Sequence, residues 1–167
     1  KVQAQGADHI VQTVLVPGER SGLRDAVKEL TDGKGVDVVY DGVGGPISAE
    51  SLRCVAFGAR YLVVGWAATP FVARGRGQRG APNANQLPTN LIRMKGLDVL
   101  GCPTAITTHR DPSVRTQRLA ALEAWIEQGR LAPYVGKVYA MDDVHEAMRA
   151  KWQSLHVGGC VIHPGPR

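Results

Sequence analysis

The chain has 167 residues, of which 44% are apolar and 21% charged, with a formal net charge of +5. That length can bury a sizeable core, and the composition is that of a globular domain and excludes a disordered chain. No apolar run approaches the ~20 residues that span a bilayer, so no membrane partner is expected. The modest positive charge permits a phosphate-bearing ligand without calling for nucleic acid.

The opening KVQAQGADHI lacks the apolar core of a signal peptide and carries no initiator methionine. A cytoplasmic location is expected, as is a start within a longer chain. Three cysteines at wide spacing, Cys54, Cys102 and Cys160, argue against a disulfide framework. Residues 9–14 read as a short strand. SGLRDAVKEL, residues 21–30, reads as a helix with Leu23, Ala26, Val27 and Leu30 on one face. Val36 to Tyr40 is a nearly continuous apolar run, as in a strand covered on both faces. Residues 48–55 read as a helix and Tyr61 to Val64 as the next strand, closed by Gly65. A short helix over 90–94 leads to a strand at 97–100, closed by Gly101. Residues 115–128 form the clearest amphipathic helix, with Gly129 as its stop signal. Then come a strand at 134–139, a helix capped by Asp142 and running to about Gln153, and a last strand at 157–163. Strands alternating with helices give an α/β fold with a parallel sheet flanked by helices.

The glycines raise the question of phosphate binding. A dinucleotide fingerprint, G-x-G-x-x-G, sits between a strand and a helix. DGVGG, residues 41–45, follows the Val36 strand, but Ile47 stands where the third glycine belongs. GRGQRG, residues 75–80, matches literally, yet no strand precedes it and APNANQLPTN cannot open a helix after it. It reads as a solvated loop, and without interleaved aromatics Arg74, Arg76 and Arg79 do not make a nucleic-acid surface. The fingerprint is therefore expected upstream of Lys1.

Five ordered blocks carry a resemblance: GADHIV, GKGVDVVYDGVGG, ARYLVVGWA, LPTNLIRMKGLDVLG and EQGRLAPYVGKVYAMDDVHEAMRA. Together they resemble the C-terminal half of a medium-chain dehydrogenase/reductase, in the zinc-independent quinone oxidoreductase branch that includes zeta-crystallin-like proteins. The match covers nearly the whole chain except residues 74–85. The resemblance implies a partial Rossmann-type sheet over residues 1–130, lacking its first strand-helix-strand, and a returning segment of the catalytic domain over 131–167. It implies reduction of quinones or similar electron-poor alkenes and carbonyls with NADPH, NADH being possible. An enoyl or acryloyl thioester reductase on the same scaffold and a non-catalytic binding module are the alternatives. This chain alone is expected to be inactive.

The same resemblance puts three turns at the cofactor cleft: Gly42, Val43 and Gly44; Gly65, Trp66 and Ala67; and Gly101, Cys102 and Pro103, followed by Thr104. Gly42 and Gly44 would let the backbone pass close to a cofactor, or equally serve a tight turn and helix cap. Trp66 can also be a packing aromatic. Some positions depart from the family. Gln12 and Thr13 stand where relatives often place a tyrosine near the 2′-phosphate, Lys1 does not match the phosphate-binding lysine, and residues 154–159 (SLHVGG) lack a basic residue. The edge strand at Leu97 to Leu100 is implied to pair with a second subunit in a homodimer.

Hydride passes directly from nicotinamide to substrate in this family, so no catalytic residue is named. No G-x-S-x-G elbow is present. His156, Cys160 and His163 lie too far apart along an extended strand to ligate one metal, and no metal site is assigned. Asp41 is a candidate general acid or a cap for the turn that follows it. In the order 3-2-1-4-5-6, a strand at His9 would lie about 14 Å from the Val36 strand. Either a longer chain fills that gap or the two strands pair directly.

Overall fold

Three parallel strands organise the chain up to Gly101. The computed structural model describes residues 3–13, 22–68, 85–153 and 155–165. It divides into two units, Lys1–Ile106 and Thr107–Arg167. In the first, α1 (Leu23–Leu30), β1 (Val36–Asp41), α2 (Pro46–Cys54), β2 (Val55–Val63), α3 (Thr89–Lys95) and β3 (Asp98–Gly101) follow one another. The sheet order is β1-β2-β3. Val39 stands opposite Tyr61, and Tyr61 opposite Val99. A parallel pair needs a crossover, and α2 and α3 lie within the two crossovers here.

The alternation of each strand decides what is covered. Leu52, Val55, Ala59, Tyr61 and Leu97 form the buried core, with Val36, Val39, Leu87, Leu91 and Ile92 packed on it. The opposite face carries the row Tyr40, Leu62 and Leu100 in register. It is open, with Tyr40 75% exposed. The expectation was a β1 covered on both faces; among the described residues one face is covered.

Strand β2 begins earlier than its sequence suggests. Its register against β1 slips between Val36 and Val38, and Gly58 in this stretch has φ +73°. No loop separates α2 from β2, so the helix's last carbonyls have no ordinary cap. Lys95 Nζ supplies one from the end of α3, donating to the carbonyls of Leu52 (3.1 Å), Arg53 (3.2 Å) and Val55 (2.9 Å).

The strand expected over 9–14 is also corrected. Residues 9–13 are irregular behind a 3-10 turn at Gln3–Gln5, and residue 14 lies outside the described residues. Among the described residues β1 has β2 as its only ladder partner. The other edge of β1 is left unpaired by the segment at His9, which makes no ladder hydrogen bonds among the described residues. The GRGQRG stretch also lies outside the described residues.

In the second unit, α5 (Pro112–Glu127) begins where Asp111 accepts hydrogen bonds from Ser113 N (3.0 Å) and Oγ (2.6 Å), three residues before the sequence reading placed it. A short helix, α4 (Thr104–Arg110), precedes it and was not expected. No residue of α5 is buried, Leu119, Leu122, Trp125 and Ile126 are half exposed, and Arg115 and Arg118 share their face at a spacing of four, so the expected amphipathic helix is corrected: its apolar and charged residues are not segregated. Strand β4 (Val135–Ala140), α6 (Val144–Trp152) and β5 (Gly159–His163) form a parallel βαβ unit. Its core is Tyr139, Ala147 and Ala150, with Cys160 and Ile162 packed against them. Asp142 does not cap α6. It lies in a 3-10 turn, Met141–Asp143, and Asp143 precedes the helix without a side-chain bond to it.

Candidate functional site at the carboxyl edge of the sheet

The carboxyl ends of β1, β2 and β3 are held together by backbone hydrogen bonds between the turns that follow them. Val64 N and Gly65 N donate to Asp41 O at 2.8 and 3.1 Å, Ala67 N to Gly42 O at 3.2 Å, and Ala68 N to Val43 O at 2.8 Å. Cys102 N donates to Val63 O at 2.9 Å, which ties in the third turn. The three residue groups singled out from the sequence thus lie along one edge.

Asp41 sets the shape of the first turn. It is 5% exposed at the end of β1. One carboxylate oxygen accepts from the amides of Val43 and Gly44, each at 2.9 Å. The other accepts from Ser48 Oγ at 2.5 Å and Tyr61 Oη at 2.7 Å. Asn85 Nδ2 donates in turn to Ser48 Oγ at 3.2 Å. Four donors occupy the carboxylate's acceptor sites, so Asp41 holds the turn and is not poised as a general acid. Burial alone would raise its pKa. The bonds from Ser48, the Gly44 amide, Tyr61 and the Val43 amide outweigh that and hold it below the ordinary aspartate value. Burial, with the Asp41 carboxylate beside it, pushes the Tyr61 phenol well up.

The glycines separate into two kinds. Gly44 has φ +74°, and a Cβ there would stand 3.1 Å from Trp66 Cα and 3.2 Å from Trp66 Cδ1. A Cβ on Gly65 would meet Gly42 O at 3.1 Å. Gly45 precedes α2 at φ 68°, ψ −144°, a region open to glycine alone, and Pro46 starts the helix. These three answer to turn packing and conformation. Gly42 and Gly101 do not: neither has a positive φ, and a Cβ on either would meet nothing within 4 Å.

Beside the second and third turns lies an apolar cleft of about 540 Å³, lined by Val64, Trp66, Cys102, Pro103 and Ile106 among others. Trp66 is 45% exposed there, so it walls the cleft as well as packing against Gly44. Sequence reasoning missed Ser48, Tyr61 and Asn85. The available signal was a serine in the first turn after Pro46 and a lone hydroxyl in an apolar strand.

The sequence model of the zinc-binding dehydrogenases matches residues 5–162. The chain belongs to the zinc-binding dehydrogenase family. Within it, this chain is 28% identical over 168 residues to quinone oxidoreductase-like protein 2 of Rattus norvegicus, covering 96% of itself and 44% of that protein. The chain therefore spans less than half the length of that relative. Among solved structures, a mycobacterial quinone oxidoreductase is 23% identical with a TM-score of 0.71, covering 97% of this chain and 44% of its own. The JamJ enoyl reductase is 21% identical with a TM-score of 0.67, covering 96% and 43%. These structures carry the medium-chain dehydrogenase/reductase fold, to whose C-terminal part this zinc-binding dehydrogenase segment corresponds. The zinc of the family's description finds no ligand set here: among the described residues no three His, Cys, Asp or Glu side chains converge.

Proposed function

We propose that this chain is the cofactor-facing part of an NAD(P)H-dependent oxidoreductase that reduces quinones or similar electron-poor alkenes and carbonyls. The observation that carries the reading is the pair Gly42 and Gly101. Both sit at the carboxyl ends of parallel strands, where nucleotide ligands bind in open α/β sheets. Neither is required by its own chain, so their missing side chains leave room for something from outside it. Gly42, Val43 and Gly44, then Gly65, Trp66 and Ala67, then Gly101, Cys102 and Pro103 would hold the nicotinamide cofactor. The cofactor supplies the hydride. The residues of this chain contribute a rigid backbone edge, fixed by Asp41, and an apolar wall that keeps water from the transfer. NADPH is the preferred cofactor in this reading, a cytoplasmic homodimer paired through the free edge of β3 is its assembly, and residues 131–167 are the returning segment of the catalytic domain.

The test follows amide NMR shifts while NADPH, and separately NADH, is titrated in. Shifts at Gly42, Gly65 and Gly101 that vanish in Gly42→Val are expected. Silence of all three turns at saturating cofactor, together with salt-sensitive binding of nucleic acid, would turn the reading towards a non-catalytic binding module. In a chain extended to the length of its relatives, cofactor oxidation is then compared with a quinone and with an enoyl thioester. Preference for the thioester selects the alternative substrate on the same edge.

A further inference from the structure

The second unit holds a recess that the oxidoreductase reading does not use. It has a volume of about 160 Å³ and is lined by Lys137, Tyr139, Glu146, Arg149 and His156, with Ala150 and Leu155. At ~30 Å³ per water, it has room for about five waters, or for one ion of similar heavy-atom count. Tyr139 is 4% exposed, and its buried hydroxyl makes no geometrically sound hydrogen bond among the described residues, with the Lys137 ammonium close enough to interact with it. His156 Nε2 is buried and has no hydrogen-bond partner among the described residues either. The two rings lie 6.1 Å apart, centroid to centroid, at 51°. Lys137 Nζ stands 4.4 Å from the Tyr139 ring centroid and 3.4 Å from Glu146 Oε1.

A buried polar atom left without a partner is costly, and most such atoms in folded proteins are paired with protein, water or ligand. Two of them belong to residues that line one recess. Around them the donors outnumber the acceptors. Lysine and arginine bring two positive charges, the phenol and the imidazole can each present a proton, and the one carboxylate, Glu146, is already engaged by Lys137. An occupant must therefore be small, anionic and rich in acceptor oxygens. We propose that this recess binds a small oxyanion of the phosphate or carboxylate class, with Tyr139 and His156 as hydrogen-bond donors and Lys137 and Arg149 supplying the charge. The proposal is independent of the carboxyl edge and stands or falls without it.

The experiment titrates the protein with inorganic phosphate, sulfate and acetate at constant ionic strength, with chloride as control, and follows the Tyr139 and His156 signals by NMR. Saturable binding of one ion per chain is expected, and the order of the three ions separates a phosphate site from a carboxylate site. Tyr139→Phe should weaken it about tenfold or more, as expected for loss of a hydrogen bond to a charged group. In ion-free buffer the same variant should be at least as stable as the parent, since it removes a buried hydroxyl that makes no geometrically sound hydrogen bond. Lys137→Met should weaken binding too, and keeps the test open should the tyrosine variant misfold. Binding that Tyr139→Phe leaves unchanged would overturn the proposal, because the ion would then be held by surface charge alone. Absence of saturable binding by all three ions would overturn it as well.

Discussion

Asp41 and Tyr139 are buried alike, at 5% and 4% exposure, each at the heart of a parallel βαβ unit. Their surroundings differ. Every acceptor site of Asp41 is met by a donor of its own unit, whereas the Tyr139 hydroxyl makes no geometrically sound hydrogen bond among the described residues. A fully paired buried network rigidifies its surroundings, and an unpaired one waits for a partner. The first cluster therefore reads as architecture and the second as a place for a ligand.

Removing the satisfied group should do the most damage. Asp41→Ala strands two backbone amides, the Ser48 hydroxyl and the Tyr61 hydroxyl, and a loss of about 4 kcal/mol in urea unfolding is expected from several bonds to a charged group. The same carboxylate should show in the pH dependence. Its folded pKa lies below the ordinary value of 3.8. Its contribution is thus fully present above that value and is lost as pH falls through the folded pKa. The stability of Asp41→Asn should fall less steeply on the acid side than that of the parent, and superimposable acid limbs would remove Asp41 from the ledger.

Lys95→Met takes the donor from three carbonyls at the α2–β2 joint, and about 2 kcal/mol of stability should go with it, measured the same way. Gly44→Ala forces a side chain into a left-handed backbone against Trp66 and should cost about 1–2 kcal/mol. Gly42→Ala and Gly101→Ala should shift the unfolding midpoint little. If Gly42→Ala were as damaging as Gly44→Ala, the division between glycines required by the chain and glycines left for a ligand would collapse. Smallest of all, Tyr139→Phe should be neutral or slightly stabilising in thermal unfolding without added anions, the opposite sign to Asp41→Ala.

Much of the first unit was legible because its signals are local. The apolar run of Val36 to Tyr40, the closing glycines and Pro46 all act within a few residues. Strand β2 was read short because Gly58 and Arg60 break its apolar pattern. The segment at His9 has the composition of a strand, but a strand is made by its neighbours, and no local pattern records their presence. Asp41 was legible as a turn former. Its bonds to Ser48 and Tyr61, 7 and 20 positions away, were not. Lys95 reaches back 40 to 43 positions, and nothing near it marks it as a helix cap.

The direct passage from α2 into β2 limits how this chain can change in length over evolution. A residue inserted or lost at the Cys54–Val55 junction would turn every following side chain of β2 to the other face of the sheet, carrying Tyr61 away from Asp41. With Lys95 gripping the carbonyls on both sides of the junction, only the bulge between Val55 and Arg60 could absorb the change. Related chains should therefore keep the span from Asp41 to Tyr61 constant.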